Sequence, residues 1–177
     1  MVQSGKSLTR RSACGAGAAL IASAVTAMPL SDDRASAQTL PPPGDRWRAL
    51  VRKTGTPEFA AAFVKNPVLK ATLLNDACQG VDNIAAFFGN APQLYDARLT
   101  FTRETINGPK TYFEWEGKAF GQSVSGVTVL THDEGGLIQE VSIFHRPLSV
   151  AARLSKELGK RVEGKMDASL FGVSDGS

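Results

Sequence analysis

Residues 125–148 read SGVTVLTHDEGGLIQEVSIFHRPL. Val127–Thr131 and Leu137–Phe144 are apolar, β-branched runs, and the turn-forming group Asp133-Glu134-Gly135-Gly136 lies between them. Strand formers on both sides of a Gly-containing loop predict a β-hairpin. The second run ends at His145-Arg146-Pro147, where proline offers no N–H to a ladder and the strand stops. Side chains alternate between the two faces of a strand. Thr128, Leu130 and His132 therefore share a face of the first strand, and Val141, Ile143 and His145 a face of the second.

The residues before the hairpin predict helices followed by more strands. Asp45 can cap a helix to about Lys53 that carries Trp47, Leu50 and Val51 on one side. Thr56, with Pro57 at the first helical position and Glu58 in the first turn, caps a second helix with Phe59, Ala62 and Phe63 as its apolar stripe, ending at Asn66-Pro67. Val68–Leu74 fits a short strand, and Val81–Phe88 a third helix closed by Gly89-Asn90. Leu94–Ile106 reads as a long strand, Asn107-Gly108 as a hairpin turn, and Lys110–Phe120 as the next strand. In that strand Phe113 and Trp115 face one way, Glu114 and Glu116 the other. Ser149–Val162 is amphipathic and helical, and residues 164–177 read as a flexible tail. The fold class is α+β, three N-terminal helices on a curved, mostly antiparallel sheet, with a pocket in the concavity beneath them.

The N-terminus follows a different plan. Lys6, Arg10 and Arg11 precede an apolar, uncharged run over Ala13–Leu30, and Ala35-Ser36-Ala37 then supplies an A-x-A cleavage signal, so residues 1–37 read as a signal peptide. Thr9-Arg10-Arg11 resembles a twin-arginine leader, with Ser12-Ala13-Cys14 where a bulky apolar pair is usual. Residues 38–44, with Pro41-Pro42-Pro43, form an extended spacer to a domain over 45–163. The expected location is periplasmic or secreted, with no stable membrane association after cleavage. Residues 1–37 hold four basic and two acidic residues, so the remainder carries 16 basic against 15 acidic, which makes no electrostatic case for nucleic acid. Cys78 would be the one cysteine left after cleavage, so an intrachain disulfide or zinc cluster is not expected, and its natural place is as a small buried hydrophobe.

The order of elements resembles the nuclear transport factor 2-like superfamily, over about Asp45 to Gly159. Glu114-Trp115-Glu116, Ala119-Phe120-Gly121, Ser125–Leu130 and His145-Arg146-Pro147-Leu148 resemble its SnoaL-like branch. The resemblance implies a cone-shaped fold and places Thr128, Leu130, His132, Val141, Ile143 and His145 on the concave side with Trp47 above them, although His132, next to a charged turn, is expected to face solvent. It also implies what is missing. The catalytic base of the family's ketosteroid isomerases falls on Ala71, and their two oxyanion donors fall on Trp47 and Thr128. Alanine cannot take a proton, so that mechanism does not transfer. The Asp-Arg-Asp triad of the epoxide hydrolases has no counterpart in the strands.

The residues expected to line a ligand site are Trp47, Tyr95, Phe113, Trp115, Thr128, Leu130, Val141, Ile143 and His145, with His145, Thr128 and the Trp47 indole N–H as its hydrogen-bonding set. No nucleotide loop, nucleophile elbow or metal-ligand spacing is present, so no cofactor and no metal are expected. The leading expectation is an exported domain that binds a small apolar molecule. One alternative is a cofactor-free isomerase, cyclase or lyase that uses His145 as acid and base. A second is a non-catalytic homodimeric interaction module.

Overall fold

The computed structural model describes residues 41–172. The expected signal peptide over residues 1–37 and the start of the expected spacer lie outside the described residues. Among the described residues four α-helices are present, α1 (Asp45–Val51), α2 (Pro57–Ala60), α3 (Val81–Asn90) and α4 (Leu148–Arg161), with strands β1 (Phe63–Ala71), β2 (Cys78–Gln79), β3 (Thr100–Asn107), β4 (Lys110–Ala119), β5 (Gln122–His132) and β6 (Ile138–Arg146). The strands form one sheet in the order β2-β1-β6-β5-β4-β3. All pairings are antiparallel except β1 with β6.

The opening hairpin forms as expected. Its loop is closed by Asp133, whose side chain accepts the Leu137 N–H at 2.8 Å. Gly136 takes φ +83°, the left-handed conformation a three-residue hairpin loop requires. Alternation decides burial: Thr128, Leu130, Val141, Ile143 and His145 are buried, as are Phe113 and Trp115 of β4, while Glu114 and Glu116 are exposed on the convex side. Helix α4 buries Val150, Ala151, Leu154 and Leu158. Cys78 is buried in β2, and burial raises its thiol pKa.

Five expectations need correction. Gly44, at φ +71°, occupies the N-cap of α1, and Asp45 sits in the first turn instead. Helix α2 is a single turn, because Phe63 and the residues after it extend into β1. There the apolar side chains are needed against the sheet, and the two strands take up Pro67 through a register shift between Phe63 and Val68. Helix α3 does not end at Gly89. It continues through Asn90 into a 3₁₀ turn over Ala91–Leu94, which Pro92 suits because its fixed φ and missing N–H cost nothing near a turn's start. The third strand accordingly begins at Thr100 rather than Leu94. The segment from Gly164 packs instead of hanging free as a tail, at least to Gly172. Met166 is buried, and Leu170 and Phe171 lie against the core. The Asn75 side-chain amide donates to the carbonyls of Ser169 and Gly172 at 3.0 and 2.9 Å.

One turn positions the site. Between β4 and β5, Phe120 and Gly121 take φ +54° and +76°, a mirror-image turn in which a bulky residue stands where glycine is favoured. The Asp96 carboxylate accepts both turn N–H groups, at 2.9 Å from Phe120 and 2.7 Å from Gly121. The Arg153 guanidinium covers the Phe120 ring at 4.0 Å. These contacts hold the turn in place, and they also hold residue 96, so that Tyr95 beside it is aimed with little freedom.

Candidate functional site

A cavity of about 700 Å³ opens between the concave sheet and the elements that cover it. Helix α1 contributes Asp45, Trp47, Arg48 and Val51, with Arg52 following. Helix α3 and the 3₁₀ turn contribute Phe87, Phe88, Ala91 and Pro92. The stretch from Tyr95 to Phe101 forms another wall, and Trp115, Thr128, Ile143 and His145 form the sheet side. Aromatic rings brace one another around it. Trp47 meets Phe88 edge-on with centroids 5.1 Å apart, and Tyr95 meets Trp115 edge-on at 6.3 Å.

The position of Trp115 follows from the register. Gly126 on β5 pairs with Trp115 on one side and His145 on the other. With no side chain between them, the two rings meet over the glycine, centroids 5.0 Å apart. A Cβ at Gly126 would overlap the Phe144 carbonyl oxygen and the Trp115 ring. The Trp115 indole N–H then reaches the diagonal neighbour Thr128 and donates to its hydroxyl at 3.1 Å in a fully buried contact.

The sheet side carries a chain of neutral polar groups. Tyr95 Oη lies 2.8 Å from His145 Nε2, and Thr72 Oγ1 lies 3.2 Å from His145 Nδ1. The Thr72 hydroxyl also accepts the His145 backbone N–H at 2.8 Å and donates to the Ile143 carbonyl at 3.1 Å. A hydroxyl has one hydrogen to give. With that hydrogen on Ile143, the shared hydrogen at Nδ1 belongs to the imidazole, and Nε2 accepts from the Tyr95 O–H. Burial drives both groups toward neutrality: it pushes the His145 pKa down to about 4 and the Tyr95 phenol above its ordinary value.

Six of the nine residues expected at a ligand site line this cavity: Trp47, Tyr95, Trp115, Thr128, Ile143 and His145. Phe113, Leu130 and Val141 do not; they are buried in the core, where the side chains of neighbouring elements leave no space over them. The expected hydrogen-bonding set changes as well. The indole that bonds Thr128 belongs to Trp115, not Trp47, because the sheet register brings Trp115 within reach. Thr72, the residue that anchors His145, was not anticipated. It follows the end of β1, which reaches β6 only through the parallel pairing, and no local pattern announces a partner 73 positions away. Ala71 stands opposite Ile143 in that pairing and brings no carboxylate to the site. His132 is half-buried beside the hairpin loop, near the Pro109 carbonyl, and does not line the cavity. Among the described residues, no group of three or more His, Cys, Asp or Glu side chains could hold a metal ion.

A curved, mostly antiparallel six-stranded sheet packed with helices in this α+β arrangement is the nuclear transport factor 2-like fold. Among solved structures the chain is similar to a steroid delta-isomerase from Pseudomonas aeruginosa, with 15% identity and a TM-score of 0.60 over 67% of this chain and 88% of that one. It is also similar to an uncharacterized bacterial protein with a cystatin-like fold from Silicibacter pomeroyi DSS-3, with 24% identity and a TM-score of 0.60 over 67% and 83% of the two chains. At these identities the likeness is one of fold. No family model and no curated protein matches the sequence.

Proposed function

We propose that this is an exported domain that binds a small, mainly apolar molecule in the cavity between its sheet and helices. The observation that carries the reading is the lining: a cavity of about 700 Å³, walled largely by aromatic and aliphatic side chains, with a few fixed polar groups. Ligand sites commonly combine that volume with that composition. The polar groups favour binding over acid-base catalysis. Both ring nitrogens of His145 are engaged, one with Thr72 and one with Tyr95, and its ring is neutral at pH 7. Among the described residues Asp45 is the one carboxylate in the lining, and it is paired with Arg48 at 2.6 Å.

The test uses thermal unfolding against a panel of hydrophobic small molecules, with intrinsic fluorescence as a second readout. Both tryptophans of the chain, Trp47 and Trp115, line the cavity, so an occupant should perturb the emission directly. A ligand present at a hundred times its Kd is expected to stabilise the fold by about 2.7 kcal/mol. Stabilisation by polar or macromolecular partners alone, with tryptophan emission unmoved by every hydrophobe, would refute the reading.

A further inference from the structure

The charge of the cavity lining is lopsided in a way that an apolar ligand does not use. Among the described residues its charged side chains are Asp45, Arg48, Arg52 and Arg98, three positive against one negative. Asp45 and Arg48 neutralise each other, and Arg48 is further occupied by the Pro43 carbonyl at 3.4 Å and by the Phe101 ring, 5.3 Å from its centroid. Arg52 and Arg98 have neither an ion-pair partner nor a hydrogen-bond acceptor among the described residues. They are exposed and come from separate segments, Arg52 at the end of α1 and Arg98 between the 3₁₀ turn and β3. The groups on the sheet side are all uncharged: the neutral His145 imidazole, the Tyr95 phenol and the Thr128 hydroxyl. The cavity therefore pairs a neutral interior with two unspent guanidinium groups, each a fork of donors shaped for a carboxylate or phosphate.

We propose that the ligand is an amphipathic anion, its apolar body in the cavity and its carboxylate or phosphate headgroup paired with Arg52 and Arg98. The proposal rests on occupation of the cavity by an apolar molecule and adds the charge to it. Arg52 also sits at a helix C-terminus, where a cation is favourable without any ligand. The experiment therefore reads a difference between ligands, which helix stability does not move.

Decanoate, decyl phosphate and decanol share one apolar chain and differ at the head. Naphthoate and naphthylmethanol repeat the comparison on an aromatic body. Calorimetry or tryptophan titration should give an anion at least about tenfold tighter than the matched alcohol. The preference should shrink as salt is raised, because exposed charges are screened. In Arg52→Gln/Arg98→Gln it should fall to about unity, while Arg52→Lys/Arg98→Lys, which keeps the charge, should retain part of it. The ranking of decanoate against decyl phosphate identifies the headgroup. Equal affinities for alcohol and anions in the unaltered protein, or a preference that survives in the glutamine variant, would overturn the proposal and leave the cavity reading standing. Binding of none of these probes, alongside no response to the wider hydrophobic panel, would overturn both. If the glutamine variant fails to fold, the lysine variant and the salt dependence of the unaltered protein still decide the matter.

Discussion

Gly126→Ala is expected to destabilise the domain by about 3 kcal/mol, although it adds a single methyl group. The position lies in the middle of β5, with hydrogen-bonded partners on both sides. The added carbon would overlap the Phe144 carbonyl oxygen, which β-sheet pairing holds in place, and the Trp115 ring, which is packed against His145. Moving the backbone opens the β5–β6 ladder. Moving Trp115 breaks its bond to Thr128 and leaves a buried indole N–H without a partner, itself a cost of about 1–3 kcal/mol. Neither relief is free, so this glycine differs from one in an open loop. Gly135→Ala provides the control: an added Cβ there meets nothing closer than Asp133 Oδ1 at 3.4 Å, and stability should change by less than about 0.5 kcal/mol. Urea unfolding followed by tryptophan emission measures both. A Gly126→Ala midpoint equal to that of the unaltered protein would mean that the Trp115–His145 contact is not held by the absence of a side chain.

The second expectation concerns acid. His145 has an ordinary pKa of 6.5 and a folded value of about 4, lowered by burial. Above pH 6.5 the imidazole is neutral in both the folded and the unfolded chain and contributes no pH dependence. Between the two values the unfolded chain binds a proton that the folded one refuses, so stability falls as pH falls. Below about 4 both forms are protonated and the loss is complete, at about 3 kcal/mol. About 2 kcal/mol of this should be gone by roughly pH 5, before most carboxylates begin to protonate. The groups touching the ring, Tyr95, Thr72 and Trp115, do not titrate in that window, and carboxylates elsewhere contribute alike to the unaltered protein and to a His145 variant, so the difference between the two slopes belongs to His145. His145→Gln should therefore show a flatter stability profile between pH 7 and pH 5. Parallel profiles for the two proteins, measured by denaturant titration, would show that the imidazole is not held neutral in the fold.

How much of this was legible in the sequence follows from how far apart the interacting residues lie. The β5–β6 hairpin was readable because its strand formers, its Gly-containing loop and its terminating Pro147 are contiguous. Strand alternation puts Ile143 and His145 on one face of their strand and Thr128 on one face of its own, and the family resemblance implies that these faces are the concave ones. The α2–β1 boundary is ambiguous in the sequence because Phe59, Ala62 and Phe63 are compatible with a helical stripe until the sheet claims Phe63. The packed segment to Gly172 leaves no local signal because Asn75, its polar anchor, has no pattern that predicts a distant partner. At the site, the roles of Trp47 and Trp115 could be exchanged on paper, since both are large indoles near the same pocket. Register alone separates them, and register depends on Gly126, whose importance lies in an atom it lacks.

The parallel pairing of β1 with β6 bears on the order in which the molecule is assembled. Strands β3 to β6 form a meander joined by short loops, whose ends meet at little entropic cost. Thr72 and His145 are 73 positions apart, and bringing them together closes a long loop. Long-range closures of this kind slow folding, because the loop entropy is lost before the contacts it allows are made. A chain with its meander formed but β1 undocked would have the concave sheet and Trp115 in place, yet lack the hydroxyl that orients His145. Binding of the proposed ligand at the Tyr95–His145 end would therefore depend on a long-range step of assembly, and a chain with β1 undocked would present the apolar sheet without the Thr72 contact to His145.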